Sequence, residues 1–192
     1  MGEQKDLDAI QQDVFDLLDD LGIDMDNENF KDTPLRVAKF FTEFVYTSEF
    51  LQGHIQKHFS RKFTTKNDEI VLVSGKFFSL CPHHVLPVSY NYWVGYIPNG
   101  WALGISKFQR VIGEMGKYPQ LQEDLTPRIV EEIEKHLNPK GVGVILRGEH
   151  MCMRMRGVRE DGVVTTSHLS GTFIKPEVRA EFLNLIDIHK RR

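Results

Sequence analysis

The apolar positions that open the chain, Leu7, Ile10, Val14, Leu17, Leu18 and Leu21, recur at three- and four-residue spacing. That period places them on one side of a helix, which the pattern predicts to stop before Gly22. A second helix is predicted from Asp32-Thr33-Pro34, continued at helical period by Leu35, Ala38, Phe41 and Val45. Thr33 can cap it, and Pro34 suits the first position because the N–H it lacks would be unpaired there anyway. The two helices read as an N-terminal helical appendage over residues 1–60, with the main domain over residues 61–192.

From about Glu69 the texture of the chain changes. Residues 70–73 read as a strand and 88–96 as a longer one. Pro98-Asn99-Gly100 then turns the chain, and residues 101–105 are expected to return as the second arm of a hairpin. A helix follows over 106–115, where Phe108, Val111, Ile112 and Met115 form an apolar stripe. Another is expected over 121–137, stopped by Asn138-Pro139, with Thr126-Pro127 as its start or as a kink. Residues 142–147, 150–156 and 163–170 read as strands separated by Gly148 and by Glu160-Asp161-Gly162, and 176–186 as a closing helix. The order after the appendage is β-β-α-α-β-β-α, an α+β arrangement without internal repeats.

The segment 150–156 carries the sharpest chemical signal. Extended backbone would send His150, Cys152, Arg154 and Arg156 to one face and Met151, Met153 and Met155 to the other. The methionines would pack; the opposite face would carry a thiol, an imidazole and two guanidiniums, a set suited to an anion near a metal.

Composition narrows the reading. A chain of 192 residues can bury one core without staples. With 24 basic and 27 acidic residues it has no overall field for capturing nucleic acid, so an anion site must be local. Two cysteines exclude a disulfide framework, and both stand beside histidines. The N-terminus lacks an apolar signal region and no run is long enough for a bilayer, so a reducing cytoplasm is the expected location.

Cys81-Pro82-His83-His84 places a thiol and two imidazoles together, and thiolate and imidazole are preferred ligands of Zn²⁺. With Cys152, one site could hold Cys81, one of the two histidines, and Cys152. Three protein ligands leave a position for water, the pattern of catalytic zinc. Cys81 and His84 converge if the segment turns, which would point His83 elsewhere. The plain alternative is two small buried thiols and surface histidines. Ser106, Lys107 and Arg110 stand at the start of a predicted helix, where free N–H groups and the dipole favour an anion. Gln122-Glu123 offers a carboxylate that could accept from the adjacent N1 and 2-amino donors of guanine.

Taken together, Cys81-Pro82-His83-His84, Tyr96-Ile97-Pro98-Asn99-Gly100, Gly104-Ile105-Ser106-Lys107-Phe108-Gln109-Arg110, Leu121-Gln122-Glu123-Asp124-Leu125-Thr126 and His150-Met151-Cys152-Met153-Arg154-Met155-Arg156-Gly157 closely resemble GTP cyclohydrolase I. Thr33-Pro34-Leu35-Arg36 also fits. The resemblance implies a tunnelling fold, an antiparallel β-β-α-α-β-β sheet with helices on one face, assembled as a homo-oligomer, usually a decamer, with active sites between subunits. It implies that Cys81, His84 and Cys152 hold Zn²⁺ and that His83 and His150 handle protons. Ser106, Lys107, Arg110 and Arg156 would grip the triphosphate, with Arg36 from another subunit, while Gln122 and Glu123 would read the guanine. The implied reaction is hydrolytic opening of the imidazole ring of GTP at C8, releasing formate and forming 7,8-dihydroneopterin triphosphate.

Pro82 departs from the family pattern, which commonly has an acidic residue there. The alternative is therefore a non-catalytic or regulatory GTP-binding relative with a structural metal. No membrane or nucleic-acid partner is expected.

Overall fold

A computed structural model describes residues 5–190, with side chains through residue 188, so the basic end His189-Lys190-Arg191-Arg192 lies outside the described side chains. The chain divides into two compact units, one ending at Phe50 and the other beginning at Leu51.

In the first unit, α1 (Leu7–Asp20) begins at Asp6, whose carboxylate accepts from the Ala9 N–H at 3.0 Å. It ends at Gly22, with φ +77°, where Gly22 N–H donates to Asp19 and Ile23 N–H to Leu18. This is the pair of carbonyl caps that a glycine in the left-handed region permits. α2 (Thr33–Phe44) starts one residue earlier than a Thr33 cap would require: Asp32 takes the cap position without a side-chain bond, and Pro34 lies in the first turn. Lys5 donates to the carbonyls of Thr42 and Val45 at its C-terminal end, where a cation is favoured.

The sequence pattern missed α3 (Ser48–Phe59), because its apolar stripe is thin: Leu51, Ile55 and Phe59 are buried but His58 shares their face. After it, β1 (Lys62–Thr64) occupies part of the connection that the pattern left without an element. β2 (Val71–Leu80) and β3 (Pro87–Ile97) form the long hairpin. The expected return of residues 101–105 onto β3 does not occur: β4 (Trp101–Leu103) pairs with β1 in a separate two-stranded sheet. The central partner of β3 is instead β5 (Gly141–His150), which in turn pairs with β6 (Val163–Gly171), giving the antiparallel order β2-β3-β5-β6.

Gly148 does not break the sheet but lies inside β5, opposite Tyr90 and Val164. The strand expected over 150–156 is also corrected. Strand pairing ends at His150 and the chain winds into α6 (Met151–Arg154), so the alternation of faces fails after His150. The methionines form no packing face, and Met155 is 65 % exposed.

α4 (Ile105–Met115) and α5 (Gln122–Leu137) cover one face of the sheet. The predicted stripe of α4, Phe108, Val111, Ile112 and Met115, is fully buried, with Phe108 stacked on Tyr96. α5 starts at Gln122 and runs through Pro127 without ending there. The opposite face is not bare. α7 (Pro176–Lys190) places Phe182 and Ile186 with Phe173 against Trp93 and Ile97, so helices lie on both faces. No described helix is long and apolar enough to cross a membrane.

Candidate active site

The hairpin tip between β2 and β3 presents the first donor set. Cys81 N–H donates to Leu86 and Val85 N–H to Cys81, which closes the tip around Pro82, His83 and His84. Val85 adopts φ +55°, a conformation that costs a β-branched residue about 1–3 kcal/mol. Closure places Nδ1 of His84 3.8 Å from the Cys81 thiol. His83 does not point away as expected, because its Nδ1 lies 3.9 Å from the same sulfur.

The helical turn of α6 then carries Cys152 to the tip. Donor atoms of Cys81, His84 and Cys152 all lie within 4.8 Å of one another, and both cysteines are free thiols. Burial pushes the Cys152 thiol up, with the adjoining Cys81 adding to the rise and Arg156 opposing it. Tetrahedral zinc with Zn–S and Zn–N bonds of ordinary length would separate a thiolate from an imidazole nitrogen by about 3.6 Å. The 3.8 Å between Cys81 and His84 therefore fits such an ion with little movement.

His150 closes the row Val142, Val144, Leu146, Gly148 that faces α5. Its Nε2 lies 3.0 Å from Oε1 of Gln122, and the Tyr90 ring stands edge-on to it at 6.0 Å. Gln122 is 2 % exposed and its amide nitrogen donates to Leu146 O, Val164 O and Thr166 Oγ1. With acceptors surrounding the nitrogen, the amide oxygen must accept, so the His150 proton resides on Nε2. Gly148 makes this possible: a Cβ there would meet Gln122 Oε1 at 2.4 Å and Tyr90 Cε1 at 2.6 Å.

Burial holds the His150 imidazole below its ordinary value, with Glu123 pulling the other way. The ring is therefore neutral at neutral pH. Tyr90 is pushed far up by burial and then by the negative charges of Glu123, Cys81 and Cys152. Glu123 itself is exposed in the first turn of α5.

The basic candidates separate. Arg156 is exposed and donates through a guanidinium nitrogen to Nε2 of His84. Arg154 bridges Glu149 and Asp161, so it ties the end of β5 to the loop before β6. Ser106, Lys107 and Arg110 stand at the start of α4, which follows β4 beyond the Ile97 end of β3. His150 and the hairpin tip lie at the Val88 end of the same strand. Arg36, in the first unit, is exposed and paired with Asp32 at 3.2 Å.

Sequence reasoning took Gly148 for a break between strands and passed over Tyr90 and the Thr126–Thr166 pair, whose hydroxyls lie 2.6 Å apart beside Gln122. A glycine inside a strand was the available signal, since it marks close approach by another group.

Residues 10–187 match the family model described as GTP cyclohydrolase I. The chain is 41 % identical over 189 residues to GTP cyclohydrolase 1 of Sulfurihydrogenibium sp. (strain YO3AOP1), covering 97 % of this chain and 98 % of that protein. It is 41 % identical over 183 residues to the Aquifex aeolicus (strain VF5) protein of the same name, covering 94 % and 97 %. Identity to the Carboxydothermus hydrogenoformans (strain ATCC BAA-161 / DSM 6008 / Z-2901) protein is 43 % over 174 residues, covering 88 % and 89 %. A match over nearly the whole length, on a chain whose Cys81, His84 and Cys152 converge beside a half-buried histidine, makes this protein a member of the GTP cyclohydrolase I family.

Proposed function

We propose that the protein hydrolytically opens the imidazole ring of GTP at C8, releasing formate and forming 7,8-dihydroneopterin triphosphate. The observation that carries the reading is the convergence of two thiols and one imidazole beside a histidine held in one tautomer. Cys81, His84 and Cys152 would hold Zn²⁺, leaving a position for water. When bound, the ion supplies a Lewis acid that lets water ionise near neutral pH.

The remaining roles belong to the chain's own side chains. His150, neutral and oriented by Gln122, exchanges protons with the purine during ring opening. His83, whose Nδ1 lies 3.9 Å from the Cys81 sulfur, would take the second proton-transfer role. Glu123 accepts from N1–H and the 2-amino group of guanine. Gln122 contributes to base recognition through His150, because its amide is already committed to the sheet. Arg156 grips the triphosphate with Ser106, Lys107 and Arg110, and Arg36 adds a further cation.

Arg156 stands with the hairpin tip at the Val88 end of β3, whereas α4 with Ser106 and Lys107 begins beyond its Ile97 end, which supports active sites shared between subunits of a tunnelling-fold homo-oligomer, with a decamer as the expected assembly. Two free thiols in the site suit a reducing cytoplasm.

Incubating metal-replete oligomer with GTP should release formate and, after oxidation, a fluorescent pterin. His150→Ala should bind GTP and release none. GTP binding without formate from the unmodified protein would instead establish the non-catalytic reading. Sharing of sites has its own check: oligomers reassembled from a mixture of Cys152→Ser and Lys107→Ala chains should recover activity that neither has alone. Failure to recover it would mean that each subunit carries a complete site.

A further inference from the structure

His54, His58 and Glu114 form a second cluster of metal donors, with ligand atoms within 4.8 Å of one another. We propose that they constitute a second divalent transition-metal site, which clamps α3 to α4 and takes no part in the reaction.

The arrangement begins with spacing. His54 and His58 are four residues apart on α3, so both imidazoles leave the same side of the helix. Such a pair chelates a metal without any change in the backbone. Glu114, in the last turn of α4, completes a two-imidazole, one-carboxylate set. Its Oε1 lies 3.2 Å from Nε2 of His58, and its Oε2 lies 2.7 Å from Nδ1 of His54.

The same contacts suit an ion pair when an imidazole is protonated, with Oε2 of Glu114 2.7 Å from Nδ1 of His54. A metal ion would serve the buried carboxylate with both imidazoles neutral, and Oε2 makes no regular hydrogen bond that the ion would have to break. Tetrahedral N–Zn–O geometry separates donors by about 3.3 Å, so an entering ion would need only to widen the 2.7 Å approach. The His54 side chain is 33 % exposed, which leaves a path from solvent.

Three protein donors leave a place for water. Nitrogen and carboxylate donors without sulfur suit Zn²⁺, Co²⁺ or Ni²⁺. The benefit is mechanical. α3 buries only a narrow apolar stripe and relies on polar ties such as Gln52 to Glu132 at 2.8 Å. An ion shared with α4 would join segments about 60 residues apart and add its binding free energy to folding.

The test uses the full chain with the thiol site removed, as Cys81→Ser/Cys152→Ser, titrated with Co²⁺. Uptake of about one equivalent per chain is expected, with weak visible d–d absorption, no near-ultraviolet thiolate charge transfer, and a higher Tm. Adding His54→Ala or Glu114→Gln should abolish both uptake and the Tm rise while circular dichroism stays unchanged. The glutamine variant decides if the alanine variant folds poorly. Absence of Co²⁺ uptake by the thiol-free protein, or uptake that survives both substitutions, overturns the proposal.

Discussion

The two donor clusters are built in opposite ways. Cys81, His84 and Cys152 come from a hairpin tip and a single helical turn, with His83, His84 and Arg156 all exposed beside them. His54, His58 and Glu114 project from two regular helices, and His58 is only 8 % exposed. Donors on a tip can shift with substrate and face another molecule. Donors carried on two packed helices have less room to move, which suits anchoring. The contrast sets the chemistry proposed at one cluster against the anchoring proposed at the other.

The largest effect should come from the tip. Cys152→Ser is expected to lower turnover by about a thousandfold or more and to remove about one equivalent of metal, with Tm little changed. A large loss of Tm would assign anchoring to this cluster as well and erase the distinction. Gly148→Ala comes next. The added methyl should displace Gln122 and free the His150 ring, lowering kcat by about 10- to 100-fold with a smaller change in KM. An equal rise in KM would mean that Gln122 serves binding rather than the orientation of His150.

The smallest effect concerns how α3 is held. His136 stacks on Phe59 of α3 at 4.6 Å, and burial lowers its pKa, partly offset by Glu132. Its folded value lies below the unfolded value of about 6.5, so the unfolded chain takes up the proton first as pH falls. Stability from the neutral stacked ring is whole above about pH 6.5 and is lost as pH drops through the lowered folded value. His136→Phe should keep the stack and flatten the fall of Tm below pH 6.5, leaving turnover at neutral pH unchanged. A Tm profile identical to that of the unmodified protein would remove His136 from the anchoring of α3.

Much of this could be read from the chain. The α4 stripe follows from simple periodicity, β3, β5 and β6 were legible as apolar runs between turn residues, only the start of β2 was legible because the strand runs on to Leu80, and the Cys81-His84 and His150-Cys152 groupings pointed to one locus. What failed did so for physical reasons. The residues after His150 alternate like a strand, but the pairing of β3 with β5 stops at Val88, and the unpaired chain coils instead. β4 looked like a hairpin arm because of its turn, yet β3 gives its free edge to β5, a partner over 40 residues distant that no local pattern reveals. The Gln122 network was invisible for the same reason, since its acceptors are carbonyls on two other strands.

Val85 also says how the hairpin tip keeps its shape. A β-branched residue at φ +55° holds about 1–3 kcal/mol of backbone strain, so the tip is set by the hydrogen bonds that Cys81 makes to Leu86 and Val85 and not by a conformation that Val85 itself favours.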